Sequence, residues 1–186
     1  WFGFNGFSQL AMGTFDDVNA ISKIAVNTHL AGAAGTVTGA ALTRLIGGKT
    51  DIVMMLNGAL AGLVAITAEP LTPGPITAMI IGSIGAVIMY LGTKLLESYR
   101  IDDVVGAIPV HMFAGIFGTL VVPLTNGDTS FGTQLIGVIS VCIFSFVLSW
   151  ITFSSLKSTI GLRISKAAEK LGTDKAEVGV IAYSIR

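Results

Sequence analysis

One histidine lies inside a long apolar stretch and is the residue of this sequence best suited to proton chemistry. Residues 104–124 read VVGAIPVHMFAGIFGTLVVPL, and His111 is the ionisable side chain among them. About 20 apolar residues suffice for a helix to cross the hydrocarbon core of a bilayer. An ionisable group there is costly, usually faces a bundle interior or a cavity, and is a candidate functional residue. A structural histidine, hydrogen-bonded to a neighbouring helix, is the alternative.

The composition indicates a membrane protein. Of the 186 residues, 52% are hydrophobic and 12% are charged, whereas a soluble domain carries about 25% charged residues. The formal net charge of zero argues against a nucleic-acid partner. The single cysteine, Cys142, can form no disulfide within the chain.

Apolar runs separated by short polar breaks predict six helices. They cover residues 1–12, 21–46, 51–68, 76–95, 104–124 and 130–156. Asp16, Asp17 and Asn19 are the candidate N-caps of the second helix. Three prolines in the turn at residues 69–75 prevent the third and fourth helices from joining. The predicted class is an all-α, polytopic membrane protein.

The basic residues indicate which ends of these helices face the cytoplasm. Ten of the eleven lie in or within two residues of alternate loops or after the last helix, and Lys23 is the exception. The ten are Arg44, Lys49, Lys94, Arg100, Lys157, Arg163, Lys166, Lys170, Lys175 and Arg186. Basic residues concentrate on the cytoplasmic side of membrane proteins. We therefore predict a transmembrane domain over residues 1–160 and a cytoplasmic tail over residues 161–186.

Small residues three or four positions apart recur within the helices and predict close helix packing in lipid. A tight bundle leaves a narrow path rather than a wide pore. The polar groups that could line it include Asn27, Thr28 and Thr67, and no ring of carboxylates is available to hold a metal cation. We therefore expect a small neutral or neutralisable solute, with no metal site and no cofactor.

Five sequence blocks carry a family resemblance. They are WFGFNG at residues 1–6, Asn27-Thr28, NGALAGLVAIT at residues 57–67, Asp102-Asp103 followed by Val110-His111 and GIFGT, and Gly161-Leu162-Arg163-Ile164. Together, in this order, the blocks resemble the second half of the Amt/MEP/Rh ammonium transporter family. Because the chain begins with WFGFNG and has no initial Met, we interpret it as a fragment that starts within a longer helix.

The resemblance implies an eleven-helix bundle of two inverted halves, assembled as a homotrimer in the plasma membrane, with a pore through each subunit. Ammonium and ammonia are the expected substrates. Inverted repeats place such a site at their interface, near the middle of the membrane. A PII-type signal protein is a possible regulator at the tail, although a short solvated helix is the simpler reading of residues 166–177.

The resemblance also assigns roles to individual residues. His111 corresponds to the second of two hydrogen-bonded pore histidines, and the first would precede Trp1. Phe4 corresponds to a gate phenylalanine at which, with Ser8, the substrate is recruited. The remaining assignments are Trp1, Ala107 and Val110 as pore-lining residues and Asp103 and Asn57 as structural ones. The chain departs from the family pattern at Gly106, Pro109, Met112 and Val178.

Ammonium chemistry suits an apolar pore with imidazole groups. The ion has a pKa near that of lysine, about 10, and burial disfavours its charged form. A neutral imidazole can accept the released proton and relay it.

Three other functions compete with transport. An ammonium sensor would couple a similar receptor domain to a signalling domain beyond Arg186. A water or glycerol pore predicts Asn-Pro-Ala motifs, which this sequence lacks. An enzyme is disfavoured because no nucleophile–base pair or metal-ligand cluster is evident in the sequence.

Overall fold

The computed structural model describes residues 1–182, and over that range every regular element is helical. The all-α class predicted from the sequence is thereby confirmed. Seven helices follow in order: α1 (Phe2–Phe7), α2 (Phe15–Gly47), α3 (Ile52–Thr67), α4 (Pro75–Ser98), α5 (Ile108–Leu124), α6 (Phe131–Thr159) and α7 (Lys166–Leu171). A π-helical turn, Asp174–Val178, comes after α7. The chain forms two compact units, Trp1–Val138 and a second one from Ile139 onwards.

Two of these helices, α4 and α6, are long and apolar enough to cross a membrane. Shorter apolar helices cover Ile52–Thr67 and Ile108–Leu124. The predicted domain boundary at residue 160 concerns the membrane surface, which the division into compact units does not address, so it stays a prediction.

Helix α2 packs against both α3 and α4 and is the longest element of the first unit. Its 33 residues span about 50 Å at 1.5 Å per residue. Thr14 is its N-cap: the Thr14 hydroxyl accepts from the Asp17 N–H at 3.2 Å, and the Asp17 carboxylate accepts from the Thr14 N–H at 3.0 Å. The predicted start at residue 21 and the predicted caps were wrong, because this reciprocal capping box begins the helix at Phe15.

Backbone carbonyl groups fill the space beside the glycines that join α2, α3 and α4. A Cβ placed on Gly58 would lie 2.5 Å from the Gly35 carbonyl oxygen, and one on Gly35 would collide with the Gly58 carbonyl. On α4, a Cβ at Gly82 would collide with the Ala31 carbonyl. The predicted packing through small residues is confirmed, and any side chain at these positions would force the helices apart.

Helix α5 starts later than the sequence predicted and is irregular at both ends. Gly106 has φ +75°, a left-handed conformation that ends any helix reaching it, so the predicted start at residue 104 was wrong. Asp103 then caps the new start: its two carboxylate oxygens accept from the N–H groups of Ala107 and Ile108, each at 2.8 Å. The helix continues as a π-helical turn (Ile108–Phe113), an α-helical segment (Ala114–Val121) and a 3₁₀ turn (Val122–Leu124).

The ends of the other predicted helices shift by smaller amounts, except in α1. That helix ends at Phe7 rather than at residue 12, and Leu10 beyond it has φ 59°. After α6, the elements within residues 160–182 are short helices, and Ser165 caps α7 by accepting from the Ala168 N–H at 3.1 Å. The part of the tail that the structure describes is largely exposed.

Replacing Gly35 with alanine should destabilise the protein by about 1–3 kcal/mol, because overpacking a filled interface moves backbone rather than a flexible side chain. Gly47, on the same helix, is a matched control, since nothing lies within 4 Å of a Cβ built there. Thermal unfolding of both purified variants in detergent measures the difference. Equal melting temperatures for Gly35→Ala and Gly47→Ala would contradict the close approach.

The tail turn should respond to acid. The Asp174 carboxylate accepts from the Ala182 N–H at 2.9 Å, and this backbone bond, with a second from Lys175, lowers the pKa of Asp174 below its ordinary value. A lowered pKa means that the turn is stabilised at neutral pH and loses this bond as the pH falls through that lowered pKa. The Ala182 amide shift, followed by NMR against pH, should report the loss, and Asp174→Asn should abolish the transition. A titration midpoint at or above that of an unstructured aspartate would refute the bond.

Candidate functional site

A cavity of about 450 Å³ lies among helices α1, α3 and α5. Its walls are mostly aromatic, aliphatic or glycine, with two threonines as the polar residues besides the indole nitrogen. The lining residues are Trp1, Phe4, Val64, Thr67, Ala68, Gly115 and Thr119. Such an apolar concavity with a few polar groups is the usual form of a small-solute site.

A hydrogen bond between distant parts of the sequence fixes the indole in this cavity. Trp1 Nε1 donates to Thr67 Oγ1 at 2.8 Å, and the Thr67 hydroxyl donates in turn to the Leu63 carbonyl one helical turn earlier, at 2.7 Å. The threonine is therefore oriented by its own helix and presents a lone pair to the indole. Sequence analysis named Trp1 and Thr67 as candidates for such a path, and the structure brings them together.

The wall contributed by α5 is formed by Gly115 and Thr119, one turn apart. The Thr119 hydroxyl donates to the Gly115 carbonyl at 2.9 Å. One turn away, Gly118 presses against α3 so closely that a Cβ there would collide with the Ala65 carbonyl. The absence of a side chain at Gly118 is therefore what brings the α5 wall up to the α3 wall formed by Val64 and Thr67.

His111 lies in the π-helical turn, about one turn before Gly115 on α5, and its side chain is exposed. It is not among the residues that line the cavity in this chain. π-Helical turns within helices occur frequently at functional sites because they displace side chains from the regular α-helical register. The other histidine, His29, stacks on Phe2 with a ring-centre distance of 6.2 Å.

Val110 does not face the cavity. It is 1% exposed and packs in a core cluster with Ala61, Met89 and Ala114. The sequence-based expectation of a pore-lining Val110 thus has no support from its position, because neighbouring helices already cover the side chain. Ala107 is exposed at the start of α5, where Asp103 binds its N–H.

Two other predicted residues have local partners. Ser8, the expected recruitment residue, ends α1, and its hydroxyl donates to the Phe4 carbonyl at 2.8 Å. It is not a lining residue, whereas Phe4, with 70% of its surface exposed, is. Asn57 Nδ2 donates to the Val105 carbonyl at 2.9 Å and ties α3 to the segment before α5, as expected of a structural residue.

Sequence reasoning missed four of the lining residues: Val64, Ala68, Gly115 and Thr119. A signal was present for two of them, since Gly115 and Thr119 are four residues apart and so share one face of an α-helix. Among residues 1–182, no group of three or more His, Cys, Asp or Glu side chains could hold a metal ion.

Comparison with known proteins agrees with this fold. The model of the Ammonium Transporter Family matches residues 1–183. The chain belongs to this family. Ammonium transporter Amt2 of Archaeoglobus fulgidus is 41% identical over 203 residues, with 98% of this chain and 42% of the relative covered. The ammonium transporter of Corynebacterium glutamicum is 33% identical and is covered over 43% of its length by the whole of this chain.

Solved structures of the family share the fold. A protein named Sensor Amt Protein superimposes with a TM-score of 0.85 at 32% identity, covering 95% of this chain and 45% of its own. Mep2 of Candida albicans gives a TM-score of 0.80 at 27% identity, covering 96% and 43%. The chain therefore spans less than half the length of these transporters, as the sequence analysis expected of part of a larger bundle.

The bond between Trp1 and Thr67 should appear as an energetic coupling. We expect Trp1→Phe and Thr67→Val, made singly and together, to show an interaction free energy of about 1 kcal/mol, the usual contribution of one such hydrogen bond. Thermal unfolding of the three variants measures it, and Thr67→Ser, which keeps the hydroxyl, is the control. Strict additivity of the two single changes would show that the indole is not held by this threonine.

Proposed function

We propose that this chain forms part of a transporter that moves ammonium or ammonia across the plasma membrane, with His111 relaying a proton. The observation that supports it most directly is the aromatic cavity walled by Trp1 and Phe4, next to the helix that carries His111. Relatives named as ammonium transporters match along nearly the whole chain. Because they are more than twice as long, the activity belongs to the complete protein.

The apolar walls of the cavity favour a neutral solute over a free ion. Carrying a bare cation through such a lining is costly, since burial disfavours charge and the few oxygens cannot replace a hydration shell. An exposed aromatic face such as that of Phe4 can first hold the cation by cation–π attraction. The ion then loses a proton, and the remaining ammonia fits the apolar walls.

His111 is the residue that we propose accepts or passes on that proton. Imidazole is the side chain that most often relays protons in proteins, and the turn that carries His111 is held at the start of α5 by both oxygens of Asp103. The ring is exposed on this chain's surface, which leaves it free to contact a second imidazole from the half of the transporter that this chain does not span. Two coupled histidines would titrate as a pair.

The wider assembly follows from the same family membership. We propose a homotrimer with the tail in the cytoplasm and with Ser8 and Phe4 at the substrate entrance. The Ser8 hydroxyl hydrogen is bound to the Phe4 carbonyl, so the oxygen lone pairs remain to accept from ammonium. A PII-type protein or a fused signalling domain would act through the tail.

Ammonium sensing is the second candidate function. It is favoured by the TM-score of 0.85 and 32% identity to the structure named Sensor Amt Protein. A sensor would use the same cavity to bind ammonium but would not need to conduct it. Binding of ammonium by the full-length protein in liposomes that show no uptake would favour sensing over transport.

Replacing His111 with alanine in the full-length protein should lower uptake of labelled methylammonium by about 100-fold or more, because general acid–base groups contribute about 10²–10⁴-fold to proton-transfer steps. His29→Ala is the matched control, since His29 stacks on Phe2 and is not a cavity residue, and it should retain uptake. Both variants are compared at equal abundance in the membrane. Unchanged uptake by His111→Ala would refute the relay.

A further inference from the structure

Each polar side-chain hydrogen of the described residues that line the cavity is donated in a hydrogen bond within the protein. The indole N–H of Trp1 is bound to Thr67, and the hydroxyl hydrogens of Thr67 and Thr119 are bound to carbonyl groups of their own helices, at 2.7 and 2.9 Å. These are the polar side chains among the described residues that line the cavity. No lining side chain therefore has a hydrogen left to donate.

The hydroxyl oxygens of Thr67 and Thr119 can still accept hydrogen bonds, but the two oxygens differ in how many acceptor positions are free. A hydroxyl oxygen has two acceptor positions. Thr67 already uses one of them for the indole, whereas no donor within residues 1–182 reaches Thr119 Oγ1. Thr119 is thus the lining residue with the greatest free acceptor capacity.

We propose that this cavity is a hydrogen-bond acceptor site and that Thr119 sets its selectivity among solutes that donate N–H bonds. The inference rests on the proposed transport function and names a residue that discriminates between its substrates. A solute rich in N–H groups finds an oxygen at Thr119, whereas a solute that needs a donor finds none among the side chains of these walls. Water has two donors and two acceptor positions, so it leaves more of its hydrogen-bonding capacity unused there than ammonia, which has three donors and one lone pair.

Ammonium and methylammonium differ in the number of N–H groups that can bond to the Thr119 oxygen. In the neutral forms that enter these apolar walls under the proposed function, ammonia carries three N–H donors, whereas methylamine carries two and a methyl group that needs no partner. Losing an acceptor from an apolar wall leaves an unpaired N–H, which costs more for the solute that depends on more such bonds. A methyl group in place of the Thr119 hydroxyl would improve apolar contact with the methyl group of the methylated solute.

Thr119→Val tests the inference because it replaces the hydroxyl with a methyl group of similar volume. In the full-length protein we expect the half-saturating concentration of ammonium to rise about five- to tenfold, the cost of about one hydrogen bond, and that of methylammonium to rise about twofold or less. Uptake of both solutes into proteoliposomes is measured at equal protein abundance. Thr119→Ala, which also removes the oxygen, should change the ratio in the same direction and covers the case in which valine is not accommodated.

Two controls distinguish the loss of the Thr119 hydroxyl oxygen from a general effect of substitution on the fold. Thr119→Ser keeps the hydroxyl and should leave both concentrations within about twofold of the wild type. Thr36→Val removes a hydroxyl that makes the same bond, to the Gly32 carbonyl at 2.9 Å, at a half-buried position outside the cavity. It should leave the ammonium to methylammonium ratio unchanged.

The inference is overturned if Thr119→Val shifts both solutes equally, if Thr119→Ser behaves like Thr119→Val, or if Thr36→Val produces the same change in ratio. These outcomes leave the transport proposal intact, provided that the wild type takes up both solutes. Absence of uptake of either solute by the wild type would refute transport and this inference together.

Discussion

Backbone-to-backbone contact between helices is the constraint on which the rest of this structure depends. In lipid no hydrophobic force drives apolar helices together, so their association relies on close packing and on interhelical hydrogen bonds. Here α2 meets α3 through Gly35 and Gly58, and it meets α4 through Gly82. Gly118 brings α5 to the same close distance from α3, and the cavity is what remains beyond that contact, where the side chains of Val64 and Thr67 need room.

Buried asparagines complement this packing at the helix ends. Asn27 Nδ2 donates to the carbonyls of Pro70 and Pro73, at 2.9 and 2.8 Å, and so holds the proline turn against α2. Asn5 Nδ2 donates to Thr28 Oγ1 at 3.0 Å and holds α1 against the same helix. In an apolar environment each of these bonds is costly to break. The bond between Asn5 and Thr28 fixes the position of α1, and therefore of Trp1 and Phe4, which a purely apolar contact would leave free to slide.

The sequence predicted the order of the apolar helices α1 to α6, and it predicted their packing through small residues, because both depend on periodicity and composition. It failed where one local interaction decides the outcome. Thr14 rather than an aspartate caps α2, since the capping box needs a hydroxyl and a carboxylate three residues apart. Gly106 delays α5 by adopting a left-handed conformation, which the sequence permits without requiring.

The position of the cavity could not be predicted, because it depends on contacts between helices far apart in sequence, but its chemical character has a local origin. A threonine within a helix can donate its hydrogen to the carbonyl four residues earlier, as Thr67 and Thr119 both do. This bond offsets the cost of placing a hydroxyl in an apolar wall and leaves the oxygen as an acceptor. An asparagine or glutamine would bring two amide hydrogens that its own helix cannot satisfy. Threonine is therefore a residue type that can make an apolar wall accept hydrogen bonds without also donating them.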